Sequence, residues 1–402
     1  MYSVRLYALP YGHRHQVGVK DISRWTEQKG GVPMLTLRYA VAGGLLLLLS
    51  LACLQAHSQP PTVFRTRVIY RHTNSVQSVH INNNGWIVWS EGDFSRSDVW
   101  LYDGSQVRRL SAGEQGRLNT YPRLNNLNQI VWRYDDGSLS DVVLWDSGAI
   151  TNVTRSDGSV GFGAPDINDS GWVVTTGTNA TTGYQDIYLW KPGYTAPENL
   201  THWADFDSQN PRINNLGEVV WNAVDVNANP QIYLAHADDM RNYRDLSQNT
   251  VGDDYSSPDL NDNGQVVWMH HNGSNWNIEM WSQSTGVVAL TDNTGNAAST
   301  FPAINNLGWV AYEQSILFRK YDVHLFANGQ VIPLTDNTDP TRSFRIALND
   351  RGELVWVTRE DIGGVRYWSV ILAQPVPEPA TGAVLLGGLG LLMLLKRKRS
   401  EM

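Results

Sequence analysis

Two short stretches of this chain bring carboxylates together with aromatic side chains. Asp205 and Asp207 flank Phe206, and Asp253 and Asp254 directly precede Tyr255. Calcium binds several oxygen ligands, and closely spaced aspartates can supply two of them. Neither stretch forms a complete Asp-x-Asp-x-Asp loop, so solvated loop acids are the alternative interpretation. The sequence therefore predicts no firm cofactor and leaves calcium as a hypothesis.

Aromatic residues near these acids suggest a second kind of chemistry. Phe162, Tyr184, Trp203, Tyr255 and Trp276 are candidates for a surface that stacks on sugars or docks a protein. For each residue taken alone, packing between repeats is the alternative. We take Tyr184, Trp203, Tyr255 and Trp276, with Asp205, Asp207, Asp253 and Asp254, as the candidate binding residues.

The usual catalytic and metal motifs do not occur in the body of the chain. It contains no His-x-x-x-His, no Gly-x-Ser-x-Gly and no phosphate-binding glycine loop. The adjacent His270 and His271 would point to opposite faces of a strand, so they do not form a chelating pair. The catalytic residues are unknown, and an enzyme with scattered active-site residues stays open.

Charge and cysteine content exclude other classes. The 402 residues carry a net charge of −8, but residues 59–379 hold 21 Lys and Arg against 36 Asp and Glu. An acidic body argues against a nucleic-acid partner, which needs a basic surface. The single cysteine, Cys53, lies in the N-terminal leader, so the body has no disulfide and no thiolate metal site.

A phrase repeated seven times predicts the elements that position these residues. Each copy has an apolar residue, Asn, two or three polar residues, usually Gly, and then a Val-Trp-like pair; the Asn positions are 43 to 47 residues apart. Each copy predicts two hairpins and four strands, with no helical period. A period in the forties is typical of four-stranded propeller blades.

The most repeated residues are predicted to form turns. Asn begins the turn because its side chain can bond to the backbone two residues later. Gly tolerates the positive φ of a tight hairpin, and Asn is the next-best residue for that conformation. The predicted structural turn residues are Asn82 and Gly85, Asn125 and Asn128, Asn168 and Gly171, Asn214 and Gly217, Asn261 and Gly264, Asn305 and Gly308, and Asn349 and Gly352.

The ends of the array indicate how it closes. The seventh copy lacks a fourth strand, and a strand at 67–71 precedes the first copy. The simplest solution is that the N-terminal strand completes the last blade and covers two exposed edges. The sequence therefore predicts an all-β, seven-bladed β-propeller over residues 65–374, closed by its N-terminal strand. An open solenoid is the alternative.

The repeats resemble those of TolB-like β-propellers. The resemblance rests on Asp-Ile-Tyr-Leu-Trp at 186–190, on Leu-Thr-Asp-Asn at 290–293 and 334–337, and on the Asn-x-x-Gly turns. It departs at the turn, where those repeats usually read Ser-Pro-Asp-Gly. The resemblance implies a fold and a docking surface rather than an activity. The longer loops at 177–185, 222–230, 249–258 and 314–321 would share one face, where we expect the site, near the central opening.

The N-terminal region is predicted to be an export signal. Residues 34–58 contain a positive start at Arg38, an apolar run and an Ala-His-Ser cleavage site, which are typical of a signal peptide. A lipoprotein with its lipid on Cys53 is an alternative. Residues 1–33 are read as a mis-called start, with Met34 the true start, or as a long n-region.

The C-terminal residues 375–402 resemble the PEP-CTERM sorting signal of Gram-negative bacteria that make exopolysaccharide. Val376, Pro377, Glu378 and Pro379 form the motif, and a short apolar segment and four basic residues follow it. The apolar segment is short for a permanent membrane span, and the basic cluster would hold its end in the cytoplasm. The resemblance implies an exosortase partner, only transient membrane contact, and an extracellular or cell-envelope location. A plain membrane anchor is the alternative.

These observations lead to one main hypothesis and two alternatives. The main hypothesis is an exported, non-catalytic propeller that acts as a binding or matrix-associated module for polysaccharide or an envelope protein. The first alternative is an extracellular carbohydrate-active lyase or hydrolase with its site on the long-loop face. The second is a periplasmic partner-docking protein.

Overall fold

The computed structural model describes residues 63–111, 116–156, 160–178, 183–202, 206–225, 230–247, 253–316, 320–336 and 341–376. This part of the chain is all-β, as predicted, with a single 3-10 turn at Met240–Asn242. The predicted signal peptide, Pro377, Glu378, Pro379 and the apolar segment after them lie outside it. Within the described ranges, no helix has the length and apolar character needed to cross a membrane.

The first half of the body contains seventeen strands. Apolar residues alternate along these strands, and short polar turns separate them. They are β1 (Phe64–His72), β2 (Val76–Ile81), β3 (Ile87–Gly92), β4 (Ser97–Tyr102), β5 (Val107–Arg109), β6 (Leu118–Leu124), β7 (Ile130–Asp135), β8 (Ser140–Asp146), β9 (Ala149–Asn152), β10 (Asp166–Ile167), β11 (Val173–Thr178), β12 (Gln185–Trp190), β13 (Glu198–Asn199), β14 (Phe206–Ile213), β15 (Glu218–Asp225), β16 (Pro230–His236) and β17 (Arg244–Asp245).

The second half continues the same order of strands. They are β18 (Asp254–Leu260), β19 (Val266–His271), β20 (Trp276–Ser282), β21 (Gly286–Ala289), β22 (Ala297–Ile304), β23 (Val310–Ile316), β24 (Lys320–Ala327), β25 (Gln330–Pro333), β26 (Arg342–Leu348), β27 (Leu354–Ile362) and β28 (Val365–Pro375).

The strands form a series of antiparallel four-stranded sheets. Four of these sheets take consecutive strands: β10 to β13, β14 to β17, β18 to β21 and β22 to β25. Strands β2 to β9 make one eight-stranded sheet, because Ser97 forms a single parallel bridge to Leu118 between β4 and β6. The last sheet has the order β1-β28-β27-β26, so the N-terminal strand pairs with the last repeat.

Each repeated Asn organises the turn between the first two strands of its repeat. In the first copy, Asn82 Oδ1 accepts the backbone N–H groups of Asn84 and Trp86 at 3.1 and 3.0 Å. Gly85 completes the turn with a φ of +76°. In the second copy Asn128 takes the same conformation, with a φ of +64°, because Asn tolerates left-handed backbone better than other non-Gly residues.

The Val-Trp-like pair of each repeat builds the core between neighbouring sheets. Trp221 on β15 is fully buried and packs with Val174 and Ile187 from the preceding sheet. Trp89, Trp132, Trp268 and Trp356 have equivalent places on their own second strands. A large aromatic ring removes much apolar surface from water, so these residues hold adjacent sheets together.

A recurring aspartate near the start of the third strand accepts hydrogen bonds from the end of its repeat. The sequence predicts Asp98, Asp141, Asp186 and Asp322 as structural acceptors for loop N–H groups, and Asp141 accepts the Ser156 N–H at 2.7 Å. A Ser or Thr hydroxyl that follows the fourth strand also donates to each of them, as Thr201 Oγ1 does to Asp186 at 2.8 Å. The same hydroxyl oxygen accepts the Ile187 N–H at 3.1 Å. The hydroxyl can donate and accept at once, so it links the two strands where a carboxylate alone could not.

Hydrogen bonds between the seven turns close the array into a circle. The side-chain Nδ2 of each repeated Asn donates to the backbone carbonyl of the Asn in the next copy, at 2.8 to 3.1 Å. The last bond runs from Asn349 back to Asn82. Together with the pairing of β1 and β28, this circle contradicts the open-solenoid alternative.

Candidate functional site

A cavity of about 710 Å³ lies inside this circle. Its wall is formed mainly by the innermost strand of each repeat: β2, β6, β10, β14, β18, β22 and β26. Each of these strands follows an inter-repeat loop and ends in the Asn turn. The central cavity therefore has a turn-side end and a loop-side end, and side chains at equivalent repeat positions form successive layers between them.

The turn-side end of the cavity carries a second hydrogen-bonded circle, which we call the turn ring. Its members directly follow each repeated Asn, and the backbone N–H of each donates to the side-chain Oδ1 of the next, at 2.7 to 2.9 Å. Three members are aspartates, so this end is acidic. The members are Asn83, Asn126, Asp169, Asn215, Asp262, Asn306 and Asp350.

The next layer inward, the charged layer, occupies the position two residues before each repeated Asn. Some members link adjacent repeats, since Asp166 Oδ2 accepts the Ile213 N–H at 3.0 Å and Asp259 Oδ2 accepts the Ile304 N–H at 2.9 Å. Arginine cannot accept a hydrogen bond, so Arg123 and Arg212 cannot link adjacent repeats in this way. The members are His80, Arg123, Asp166, Arg212, Asp259, Ala303 and Ala347, and all line the cavity.

Burial, together with the neighbouring charges, shifts the pKa values within this layer. Burial, with the nearby charges of Arg123 and Arg212, holds the pKa of His80 well below its usual range, so the imidazole is neutral. Burial lowers the pKa of Arg123 to about 10, which leaves the guanidinium charged at neutral pH. Burial raises the pKa of Asp259 to about 6, although the charge of Arg212 acts in the opposite direction.

The loop-side end of the cavity is lined by residues with left-handed backbone. The innermost strands contain irregularities in register, and Tyr121 and Phe301 have φ values of +54° and +51° there. Bulky residues rarely adopt this conformation, and a bulge can redirect a side chain. Both rings are about half exposed and line the cavity. Asn210, Ser257 and Arg345 have equivalent positions and positive φ values.

Glu313 is a buried carboxylate beside this end of the cavity. It lies on β23 with 4% of its surface exposed, and its Oε1 accepts the Arg345 backbone N–H at 2.7 Å. Burial raises the pKa of Glu313 to about 7, and the hydrogen bond from Arg345 only partly opposes this shift. Its protonation state therefore changes near neutral pH.

We expect Glu313→Gln to stabilise the protein at alkaline pH. The unfolded carboxyl ionises near its ordinary pKa, whereas the folded one stays protonated up to about pH 7, so folding stability falls as pH rises between these values. The glutamine stays neutral and avoids a cost of about 3 kcal/mol at pH 8. Urea unfolding at pH 5 to 8 measures the difference.

The matched control for that experiment is Glu198→Gln, at an exposed position on β13. It should leave the slope of stability against pH unchanged. Equal slopes for the Glu313→Gln variant and the parent protein would contradict the assigned shift.

The candidate binding residues that the structure describes do not line the central cavity. Trp203 and Asp205 are outside the described residues. Asp207 accepts hydrogen bonds from the Gln185 backbone N–H and the Gln209 side chain, at 2.9 and 2.6 Å. Asp207, Tyr184, Asp253, Asp254, Tyr255 and Trp276 do not line the cavity.

Some of these residues cluster around His270 instead. Its Nδ1 lies 2.8 Å from Glu279 Oε1, and its Nε2 lies 3.4 Å from Asp253 Oδ2. The buried ring of Tyr255 stacks on the imidazole, with 4.6 Å between ring centroids. The hydrogen bond to Glu279 raises the pKa of His270. His271 instead contacts Trp276, so the two histidines are directed apart, as their strand position predicts.

The described residues offer no assembled metal site. Among them, no group of three or more His, Asp or Glu side chains lies where it could hold a metal ion. The calcium hypothesis at Asp205 and Asp207 falls partly outside the described residues and stays a hypothesis.

Sequence reasoning missed the charged layer, although a signal for it exists. The position two residues before each repeated Asn reads His, Arg, Asp, Arg, Asp, Ala, Ala. Charged residues at a fixed position of an otherwise apolar innermost strand mark a wall that faces water. The prediction from the sequence instead places the site in the loops between the copies.

Comparison with solved structures supports the fold. A puromycin-hydrolysing peptidase from Mycobacterium tuberculosis is similar at a TM-score of 0.57 and 11% identity, over 78% of this chain and 54% of the peptidase. An oligogalacturonate lyase in complex with manganese is similar at a TM-score of 0.55 and 13% identity, over 80% of this chain and 98% of the lyase. The chain is a β-propeller.

TolB from Acinetobacter baumannii is also similar, at a TM-score of 0.45 and 17% identity, over 60% of each chain. The chain spans about half the length of the matching peptidase. No protein-family model and no curated protein sequence matches it. At these identities the similarities concern the fold and leave the activity open.

Proposed function

We propose that the chain is an exported, non-catalytic propeller of seven four-stranded blades that binds a saccharide ligand in its central cavity. The observation that carries this proposal is the cavity wall, where charged side chains face about 710 Å³ of space on a rigid circle of strands. Cavities of this size suit ligands as large as a small drug. The blade count is supported by the seven turns that the Asn hydrogen bonds connect.

The same proposal includes the cellular location of the protein. Residues 34–58 direct export, and the motif from Val376 to Pro379 directs sorting by an exosortase in a Gram-negative cell envelope. The ligand is then an envelope or matrix polysaccharide, and membrane contact is transient. Mass spectrometry of the exported protein tests this step, since an intact C-terminus through Met402 would exclude sorting by cleavage.

A carbohydrate-active lyase or hydrolase is the second candidate function. The carboxyl group of Glu313, whose pKa lies near 7, favours it, because a general acid or base works best near the operating pH. An oligogalacturonate lyase is also structurally similar to this chain, so carbohydrate lyase chemistry occurs on a related fold. Glu313 and the charged layer would then supply the reacting groups.

One assay separates these two functions. The exported protein is incubated with a panel of polysaccharides, with and without Ca²⁺ or Mn²⁺, while binding and product formation are followed together. We expect retention on at least one polysaccharide and no product. Turnover that is abolished in the Glu313→Gln variant would show an enzyme rather than a non-catalytic binding module. The absence of binding to any polysaccharide would reject both functions.

A further inference from the structure

The charged layer contains two guanidinium groups with unused donors. Among the described residues, Arg123 makes no hydrogen bond and no ion pair, and Arg212 donates only to the Pro211 carbonyl, at 2.9 Å from Nη1. A guanidinium keeps its charge in proteins and carries five N–H donors in a planar fork. Charged groups removed from bulk water are costly unless a partner satisfies them. The cavity therefore presents two cations that suit an anionic ligand.

The neighbouring aspartates do not neutralise these cations by direct pairing. Asp166 and Asp259 each use one carboxylate oxygen to hold the backbone of the next repeat, and neither forms an ion pair with an arginine in the described structure. The remaining positions of the layer are Ala303 and Ala347, on β22 and β26. Their small side chains leave space in the cavity opposite the arginines.

The two ends of the cavity differ in charge, which gives the ligand a direction of entry. The turn ring places Asp169, Asp262 and Asp350 at one end, so an anion is repelled there. At the other end Arg345 is exposed and lines the cavity. Charge of one sign along an opening steers an oppositely charged ligand. An anion would therefore enter from the loop side.

Two aromatic rings at the loop-side end indicate the kind of molecule to which the anionic group belongs. Tyr121 and Phe301 belong to the second and sixth repeats, so they lie nearly opposite each other across the opening. Both are about half exposed. Exposed rings on both sides of an opening provide apolar faces for the rings of a sugar, while a carboxylate fits the planar fork of an arginine.

We propose that the central cavity binds an acidic saccharide, with a uronate carboxylate held by Arg123 and Arg212 and its sugar rings stacked on Tyr121 and Phe301. This assignment rests on the proposed binding function and specifies its ligand class. The carboxylate would lie at the charged layer, and the rest of the oligosaccharide would extend toward the long loops.

Isothermal titration of the exported protein with a galacturonate trimer and with its fully methyl-esterified form tests the proposal. The two ligands share their shape and differ in charge, so the acid should bind at least about tenfold more tightly. Arg123→Gln and Arg212→Gln should each weaken binding of the acid by about 10- to 100-fold, since hydrogen bonds to charged groups are among the strongest. Arg65→Gln, an exposed position on β1, is the matched control and should bind like the parent protein.

Further variants keep the test clear if an arginine change disturbs folding. Thermal unfolding checks each protein, and Arg123→Lys retains the charge but not the fork, so its affinity should be intermediate. Tyr121→Ala and Phe301→Ala should weaken binding of the trimer by about tenfold, while binding of inorganic phosphate alone stays unchanged.

The outcomes distinguish the ligand class from the binding function. Equal affinity for the acid and its ester would overturn the carboxylate proposal and leave the binding module intact. Phosphate that binds as tightly as the trimer would overturn the saccharide part and leave a simple oxyanion site. If no saccharide, acidic or neutral, binds, both the ligand class and the proposed function are rejected.

Discussion

Asn168→Ala is expected to lower the free energy of unfolding by about 3 kcal/mol or more. The side chain is 4% exposed, its Oδ1 accepts the N–H groups of Ser170 and Trp172 at 3.0 Å, and its Nδ2 donates to the Asn214 carbonyl at 3.0 Å. Alanine removes all three bonds, and each net hydrogen bond contributes about 1 kcal/mol to stability. Urea unfolding followed by tryptophan fluorescence measures the loss.

Asn168→Asp separates the two roles of this residue. The carboxylate keeps the acceptors for the turn but has no donor, and it places a negative charge against the Asn214 carbonyl. We therefore expect a loss close to that of the alanine variant. Ser170→Ala, at an exposed position of the same turn, is the control and should change stability by less than about 0.5 kcal/mol. An aspartate variant as stable as the parent protein would mean that the bond between repeats contributes little.

The turns are the part of the structure that the sequence predicts best. The side chain of Asn can bond to the backbone two residues later, and a Gly or Asn is needed where φ is positive. These are local rules, so Asn82 and Gly85 can be placed without knowing the fold. The bond from Asn82 to Asn125 in the next copy is not local, and nothing in a single repeat predicts it.

The candidate site was less predictable for a physical reason. Alternation along a strand normally identifies its two faces, because successive side chains point in opposite directions. The innermost strands contain register shifts, such as the one between Thr120 and Arg123 on β6, and a shift of one residue reverses the faces. Alternation along β6 alone therefore does not reveal that Arg123 faces the cavity. Only a comparison of the same position across the seven repeats gives a signal for it.

The predicted loop residues that the structure describes take part in local contacts. Asp207 holds the start of β12 through the Gln185 N–H, and Tyr255 is buried against His270. An acid beside an aromatic residue in a loop has the composition of a binding site. It also has the composition of a loop that satisfies its own backbone, and only the three-dimensional contacts distinguish the two.

Removal of β1 is expected to have the largest effect on the fold. This strand pairs with β28 from Phe64–Pro375 to His72–Trp368. The Tyr70 ring packs against Trp89 and Trp100, with its centroid 5.2 and 5.5 Å from theirs. A chain that starts at Thr73 loses these contacts and leaves β28 as an open edge. At about 1 kcal/mol for each net hydrogen bond, the loss approaches the whole stability of a typical domain.

We therefore expect a chain of residues 73–376 to lose cooperative unfolding in thermal scans or to aggregate, while residues 59–376 unfold in one transition. A synthetic peptide of residues 63–72 should restore the transition, because it can pair with β28 in place of β1. The control is Arg71→Ala, which removes the exposed ion pair with Glu360 and should cost no more than about 1 kcal/mol. A shortened chain that unfolds like the longer one would show that the Asn circle alone closes the propeller.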